Sequence, residues 1–240
     1  MSVPFRCCPS AVATRMSSTR VCFQLTGFGP FHDKTERLFE NPSEALVSGA
    51  ALPEQSSQTV LRVAVRSAVD AATALPPSLP GFLTCRLHVG VDTTRDFFKL
   101  ESRAVNVCAF RAPDEDGWWP TAEQPAPVLD SEPFGAVEDT TLDVAALLAV
   151  LLQPGGGGEG AACGERVESS SDAGRFVCNA LYYASLVECR KRRALQSESS
   201  PRGDEHALFL HIPTFAAVGL ERQRVFLAAL MDAVAAQLAR

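Results

Sequence analysis

One stretch of the sequence holds a cysteine where a cysteine could react. Asp172-Ala-Gly-Arg-Phe-Val-Cys178-Asn179 leads into a helix-patterned segment with Leu181, Tyr182, Leu186 and Cys189. If the helix begins near Gly174, Cys178 lies close to its first turn, where unpaired N–H groups and the positive end of the helix dipole favour an anion. Such a setting lowers a thiol pKa and makes the sulfur nucleophilic. The plainer reading is a small buried core residue. His211 stands at the exit of the apolar run Leu208–Leu210, just before Ile212-Pro213. Alone it reads as a hydrogen-bonded structural residue; with a cysteine on an adjacent element it becomes a candidate base, because a Cys nucleophile needs an imidazole within hydrogen-bond reach. Glu101, in Lys99-Leu-Glu-Ser-Arg-Ala-Val-Asn106, could orient that imidazole as a carboxylate does in catalytic triads. It is one of 28 acids, and pattern alone does not single it out.

Other candidates are weaker. The turn Thr26-Gly27-Phe28-Gly29-Pro30-Phe31 puts two aromatic rings on a loop where they could wall a small-molecule pocket or pack beneath it. Its Gly-x-Gly lacks the third glycine of a dinucleotide fingerprint, and Pro30 would disturb the helix start that holds pyrophosphate. The glycine run Gly155–Gly158 has no following Gly-Lys-Ser/Thr and reads as a flexible loop. Cys85-x-x-His88 is the one close pairing of metal-ligand types, but residues three apart on a strand face opposite sides, so no metal is expected.

The elements that must position these residues alternate. Val21–Thr26, Val60–Val65, Leu87–Val91 and Leu208–Ile212 read as buried strands, whereas Ser43–Leu52, Leu142–Leu152, Gly174–Arg192 and Leu220–Leu238 read as helices. Strands this apolar have no wet face, so the expected architecture is a three-layer α/β/α sandwich, a largely parallel (mixed) twisted sheet with helices on both faces. Ligands in such folds sit beyond the carboxyl ends of the strands, just after Thr26, Val91 and Leu210. With 240 residues, 46% of them hydrophobic, the chain can build one full core without staples, so its 8 cysteines need be no framework. Residues 1–20, with three arginines and no acid, read as an N-terminal extension, with Met16 as an alternative start. Residues 21–240 read as a single domain with polar loop insertions near 153–172 and 190–205, and the basic run Arg190–Arg193 as a solvated helix end. A net charge of −6 argues against nucleic acid or anionic lipid as partner. No apolar run is long enough for a membrane helix, and with no secretory signal the expected compartment is reducing and cytoplasmic.

Taken together, several segments resemble one family, the pyroglutamyl peptidase I (pyrrolidone-carboxylate peptidase) cysteine peptidases. The resemblance rests on Thr26-Gly-Phe-Gly-Pro-Phe31 with Asn41-Pro-Ser43, His88-Val-Gly-Val91, Glu101 with Ala104-Val-Asn106 and Arg111-Ala-Pro-Asp114, Ala173-Gly-Arg-Phe-Val-Cys-Asn179, and Leu210-His-Ile-Pro213. These run in the family's order from Val21 to Pro213. The resemblance implies Cys178 as nucleophile, His211 as general base and acid, and Glu101 as the group fixing the imidazole. It further implies Phe28, Phe31, Phe176 and Val177 around the lactam ring, Asn41 nearby, and Arg111 with the Cys178 N–H as oxyanion donors. Val91 stands where some bacterial relatives have glutamine. The implied substrates are peptides with an N-terminal pyroglutamate, cleaved through a thioester without metal or cofactor. The family also admits a homo-oligomer, which this sequence leaves open. Two rival classes are a non-catalytic binding protein on the same fold and another α/β enzyme such as a nucleoside phosphorylase.

Overall fold

The computed structural model describes residues 20–32, 38–74, 76, 81–153, 164–195 and 204–240. Residues 1–19 of the expected N-terminal extension, including Met16, and the inner parts of both expected insertions lie outside the described residues. In chain order the elements are β1 (Arg20–Phe28), β2 (Phe31–His32), β3 (Leu38–Phe39), α1 (Pro42–Ser48), β4 (Ser57–Leu61), α2 (Val65–Ala74), β5 (Phe82–Val91), β6 (Phe98–Glu101), β7 (Arg103–Val105), β8 (Val137–Asp139), α3 (Val144–Leu151), β9 (Val167–Ser170), α4 (Val177–Ala194), β10 (Glu205–Ile212) and α5 (Leu220–Leu238).

Six strands form one sheet in the order β4-β1-β5-β10-β6-β9. All neighbours are parallel except β10 and β6, so β6 and β9 run against the other four. Helices cover both faces, giving the expected α/β/α sandwich. The core divides at the sheet. One cluster joins Phe23, Leu25, Leu87, Val89, Leu100 and Leu210 to Leu46 of α1, Leu147 of α3 and Phe226 and Leu230 of α5. The other joins Phe28 and Phe209 to Ala68 and Ala72 of α2 and Leu181, Tyr182 and Leu186 of α4.

Strand alternation does the sorting. On β5 Cys85, Leu87 and Val89 enter the first cluster, as do Phe98 and Leu100 on β6 and Leu208, Leu210 and Ile212 on β10. The residues between them, His88, Gly90, Lys99, Glu101, Phe209 and His211, therefore face α4. None of the described helices is long and apolar enough to cross a membrane.

Several boundaries differ from expectation. The strand expected at Val60–Val65 lies at Ser57–Leu61, and Val65 begins α2. The cause is distant: the Asp114 carboxylate accepts the Val65 N–H at 2.9 Å and caps the new helix from 49 residues away. Helix α1 starts at Pro42 behind its N-cap, Asn41, and stops at Ser48 before Gly49. Helix α4 starts at Val177 rather than Gly174, because Gly174 has φ +82°, a left-handed conformation no helix contains. Within the expected 153–172 insertion, Val167–Ser170 pairs with β6. As the edge strand it needs only one apolar residue, Val167, and reads as polar loop. The basic helix end is anchored rather than merely solvated: Arg190 pairs with Glu132 and Glu138, and Arg193 donates to the Glu205 carbonyl at 2.6 Å.

Candidate active site

Three strands and one helix end converge on the site. Register places His211 of β10 between Gly90 of β5 and Lys99 of β6, with Phe209 opposite Glu101. All of these lie on the face toward α4, whose second residue is Cys178. The α4 N-cap, Phe176, supplies no side-chain hydrogen bond. The first-turn N–H groups thus lack a side-chain acceptor, and the positive end of the dipole lies at the thiol.

His211 Nδ1 and Glu101 Oε1 are 2.7 Å apart, with the glutamate fully buried and the histidine 6% exposed. Cys178 lines the same cavity as His211, near enough to raise the imidazole pKa, and remains half-buried. Burial opposes a charge on the ring, but the hydrogen bonds and negative charges of Cys178 and Glu101 outweigh it, and the His211 pKa is raised to about 9. The imidazole is therefore protonated at neutral pH. The Tyr182 hydroxyl donates to the Glu101 carbonyl at 2.8 Å, fixing the strand that carries the carboxylate. Lys99 Nζ lies 3.7 Å from Glu101 Oε1 and 2.9 Å from Asp92 Oδ2.

Cys178 and His211 line a cavity of about 900 Å³. Its apolar walls include Phe31, Val91, Phe110 and Phe176; its polar rim includes Lys99, Asp92, Arg111, Asp172 and Arg175. Phe110 packs edge-on against Phe176 at 4.7 Å between centroids and against Trp118 at 5.4 Å, so a tier of three rings braces that wall. The loop carrying Phe110 is held by Asn106, whose amide binds the carbonyls of Leu129, Glu132 and Pro133 and whose oxygen accepts the N–H groups of Val128 and Leu129. Asn179 plays the matching part for β7, bonding both backbone groups of Val105 and the Val107 carbonyl.

Of the residues singled out in the sequence, Cys178, His211, Phe31, Val91, Phe176 and Arg111 line the cavity, and Glu101 lies behind His211. Phe28 and Val177 do not line it. At 2% and 1% exposed they belong to the core cluster beneath. Asn41 does not line the cavity; it is the N-cap of α1, its Oδ1 accepting from the Ser43 N–H and hydroxyl. Sequence reasoning missed Phe110, Asp92, Lys99 and Arg175 as cavity residues. Asp92 had a signal, since it immediately follows the carboxyl end of β5. Cys85 and His88 point to opposite faces: the thiol enters the first cluster, while His88 bonds Thr26 Oγ1 at 2.7 Å on the other. Among the described residues no three His, Cys, Asp or Glu side chains are grouped to hold a metal.

No protein-family model and no curated protein sequence matches the chain. Solved structures do. Pyroglutamyl peptidase I from Bacillus amyloliquefaciens superposes with TM-score 0.68 at 22% identity, covering 91% of this chain and 98% of that one. Pyrrolidone carboxyl peptidase from Fervidobacterium islandicum AW-1 gives 0.66 at 22%, covering 90% and 98%. The Thermus thermophilus pyrrolidone carboxyl peptidase gives 0.56 at 25%, covering 90% and 97%. The chain has the fold of these peptidases along nearly their whole length.

Proposed function

We propose that the protein is a cysteine peptidase that removes an N-terminal pyroglutamyl residue from peptides. The observation that carries this reading is a cavity with aromatic walls that both Cys178 and His211 line, with Glu101 hydrogen-bonded to the imidazole behind. The likeness to solved pyroglutamyl peptidases supports the choice of substrate. The five-membered lactam is compact and uncharged, so it suits walls of Phe31, Phe110, Phe176 and Val91, with Phe28 and Val177 packed behind them. It has no free ammonium and needs no paired carboxylate.

In the first step the Cys178 thiolate attacks the carbonyl carbon joining pyroglutamate to the next residue. The C=O electrons move onto oxygen, where the N–H groups at the start of α4, with Arg111 near the rim, would offset the charge. Collapse breaks the C–N bond as the His211 imidazolium gives its proton to the departing amine, leaving a thioester. Neutral His211 then takes a proton from water, the hydroxide adds to the thioester carbonyl, and the C–S bond breaks to release pyroglutamate and restore thiolate and imidazolium. Glu101 holds Nδ1 throughout, so that Nε2 carries the moving proton. This chemistry requires a reduced thiol, which fits a cytoplasmic setting.

The test is hydrolysis of pyroglutamyl-aminomethylcoumarin by reduced protein, with an alanyl analogue and Cys178→Ala in parallel. Fluorescence from the pyroglutamyl compound alone, reduced about 10,000-fold or more in Cys178→Ala, is expected. Undiminished turnover by a folded Cys178→Ala protein refutes the nucleophile, and silence from the folded wild type refutes the reading in favour of a binding role.

A further inference from the structure

A blocked N-terminal residue fills one end of such a site, and everything else in the substrate must leave by the other. A second, polar groove of about 640 Å³ adjoins the cavity and shares Lys99 and Asp172 with it. Its lining includes Arg95, Arg166, Ser169 and Ser170, so it meets the aromatic cavity at a change from apolar to polar walls. We propose that this groove seats the peptide chain that follows pyroglutamate, making the protein selective for oligopeptides over pyroglutamyl dipeptides. The inference rests on the proposed peptidase function.

Two further features favour an extended chain there. First, the groove runs beside β9, the last strand of the sheet. The ladder to β6 uses the carbonyls of Arg166 and Ser170, which accept the N–H groups of Phe98 and Ser102. By alternation, the N–H and C=O of Val167 and Ser169 turn to the outer edge, where a peptide can pair with them. The four residues of β9 extend about 13 Å, room for three or four residues of extended chain. Second, the charges nearly balance. Arg95, Lys99 and Arg166 stand against Asp96, Glu168 and Asp172, and Arg166 is tied to Glu168 at 2.9 Å and stacked over Phe97 at 4.2 Å. Such a groove selects for backbone and length rather than for the charge of any one side chain.

The experiment compares kcat/KM for pGlu-Ala and pGlu-Ala-Ala-Ala. One or two added net hydrogen bonds predict a rise of about tenfold; a flat series from an enzyme that cleaves both overturns the proposal. Should neither be cleaved, the peptidase reading fails and the groove is still decided by binding to Cys178→Ala protein. There a fluorescein-labelled pyroglutamyl tetrapeptide should bind about tenfold tighter than the labelled dipeptide, and equal affinities overturn the proposal. Ser169→Trp, placing an indole on the exposed edge strand, should bring the length ratio down to about one. A folded variant that keeps the full ratio also overturns it.

Discussion

Gly90→Ala is the sharpest test of how the fold makes room for the Cys178 sulfur. Gly90 lies beside His211 in the β5–β10 ladder, on the face where Cys178 arrives from α4. A Cβ built there would stand 2.8 Å from Phe209 Cζ and 2.9 Å from Cys178 Sγ. Contacts between such atoms are comfortable at about 3.5–4.0 Å, so the sulfur and the ring must each retreat by roughly 0.6–1.2 Å. Backbone strain adds nothing, since Gly90 is not among the residues with positive φ. Overpacking of this kind costs about 1–3 kcal/mol, which in a domain of this size lowers Tm by about 2–12 °C. The kinetic effect should be larger than that loss implies. A misplacement of about 1 Å in a reacting atom costs on the order of 100-fold, and the displaced Phe209 ring also touches His211, 4.7 Å between centroids. At 25 °C, with circular dichroism showing a folded protein, kcat/KM for pyroglutamyl-aminomethylcoumarin should therefore fall about 100-fold. Alkylation of Cys178 by iodoacetamide should slow with it. Wild-type kcat/KM together with wild-type alkylation would refute the argument that the missing side chain at position 90 sets the sulfur's place.

Four other outcomes follow from the structure. His211 is held at a pKa of about 9, so the imidazolium persists across neutral pH and the alkaline limb of kcat/KM should lie near 9; Glu101→Gln removes a charge that raises this value, and its limb should move to lower pH, which a pH–rate profile measures. The same shift ties stability to pH: the His211 contribution is complete below about 6.5, the unfolded value, and is lost as pH rises through about 9. His88 works in the opposite direction, burial and the neighbouring Arg86 charge holding it down to about 3; stability should be undiminished by this residue above about pH 6.5 and fall as acid takes the protein toward pH 3, and a His88→Gln variant should show a flatter urea midpoint over that range. Asn106→Ala removes five hydrogen bonds that tie down residues 128–133 and leaves mostly part-buried backbone groups unpaired, so urea unfolding should show a loss of about 2–3 kcal/mol.

Much of the molecule was legible in the residue pattern because the relevant physics is local. β1, β5 and β10 lie at the centre of the sheet, buried on both faces, and so appear as short, predominantly apolar segments. Helices α3, α4 and α5 carry their periodicity over two turns or more. Cys178, His211 and Phe31 stood out because each lies at or just beyond the end of an element, where a side chain can meet a ligand. The elements that escaped are those whose reasons lie elsewhere in the chain. β9 is polar because only one of its sides is covered. α2 starts where it does because Asp114 reaches back to Val65.

Residue types and the positions of the central elements were thus determined by the sequence, along with a thiol at a helix start and an imidazole at a strand end. Which acid serves the imidazole was decided by tertiary structure. Glu101 became the partner of His211 because β6 runs antiparallel to β10, so that register and strand alternation carry both to one face and to 2.7 Å. The same register gave Lys99 its place at the mouth. Distances between residues more than a hundred positions apart are fixed by strand pairing, and pairing is a property of the assembled sheet, not of any segment read alone.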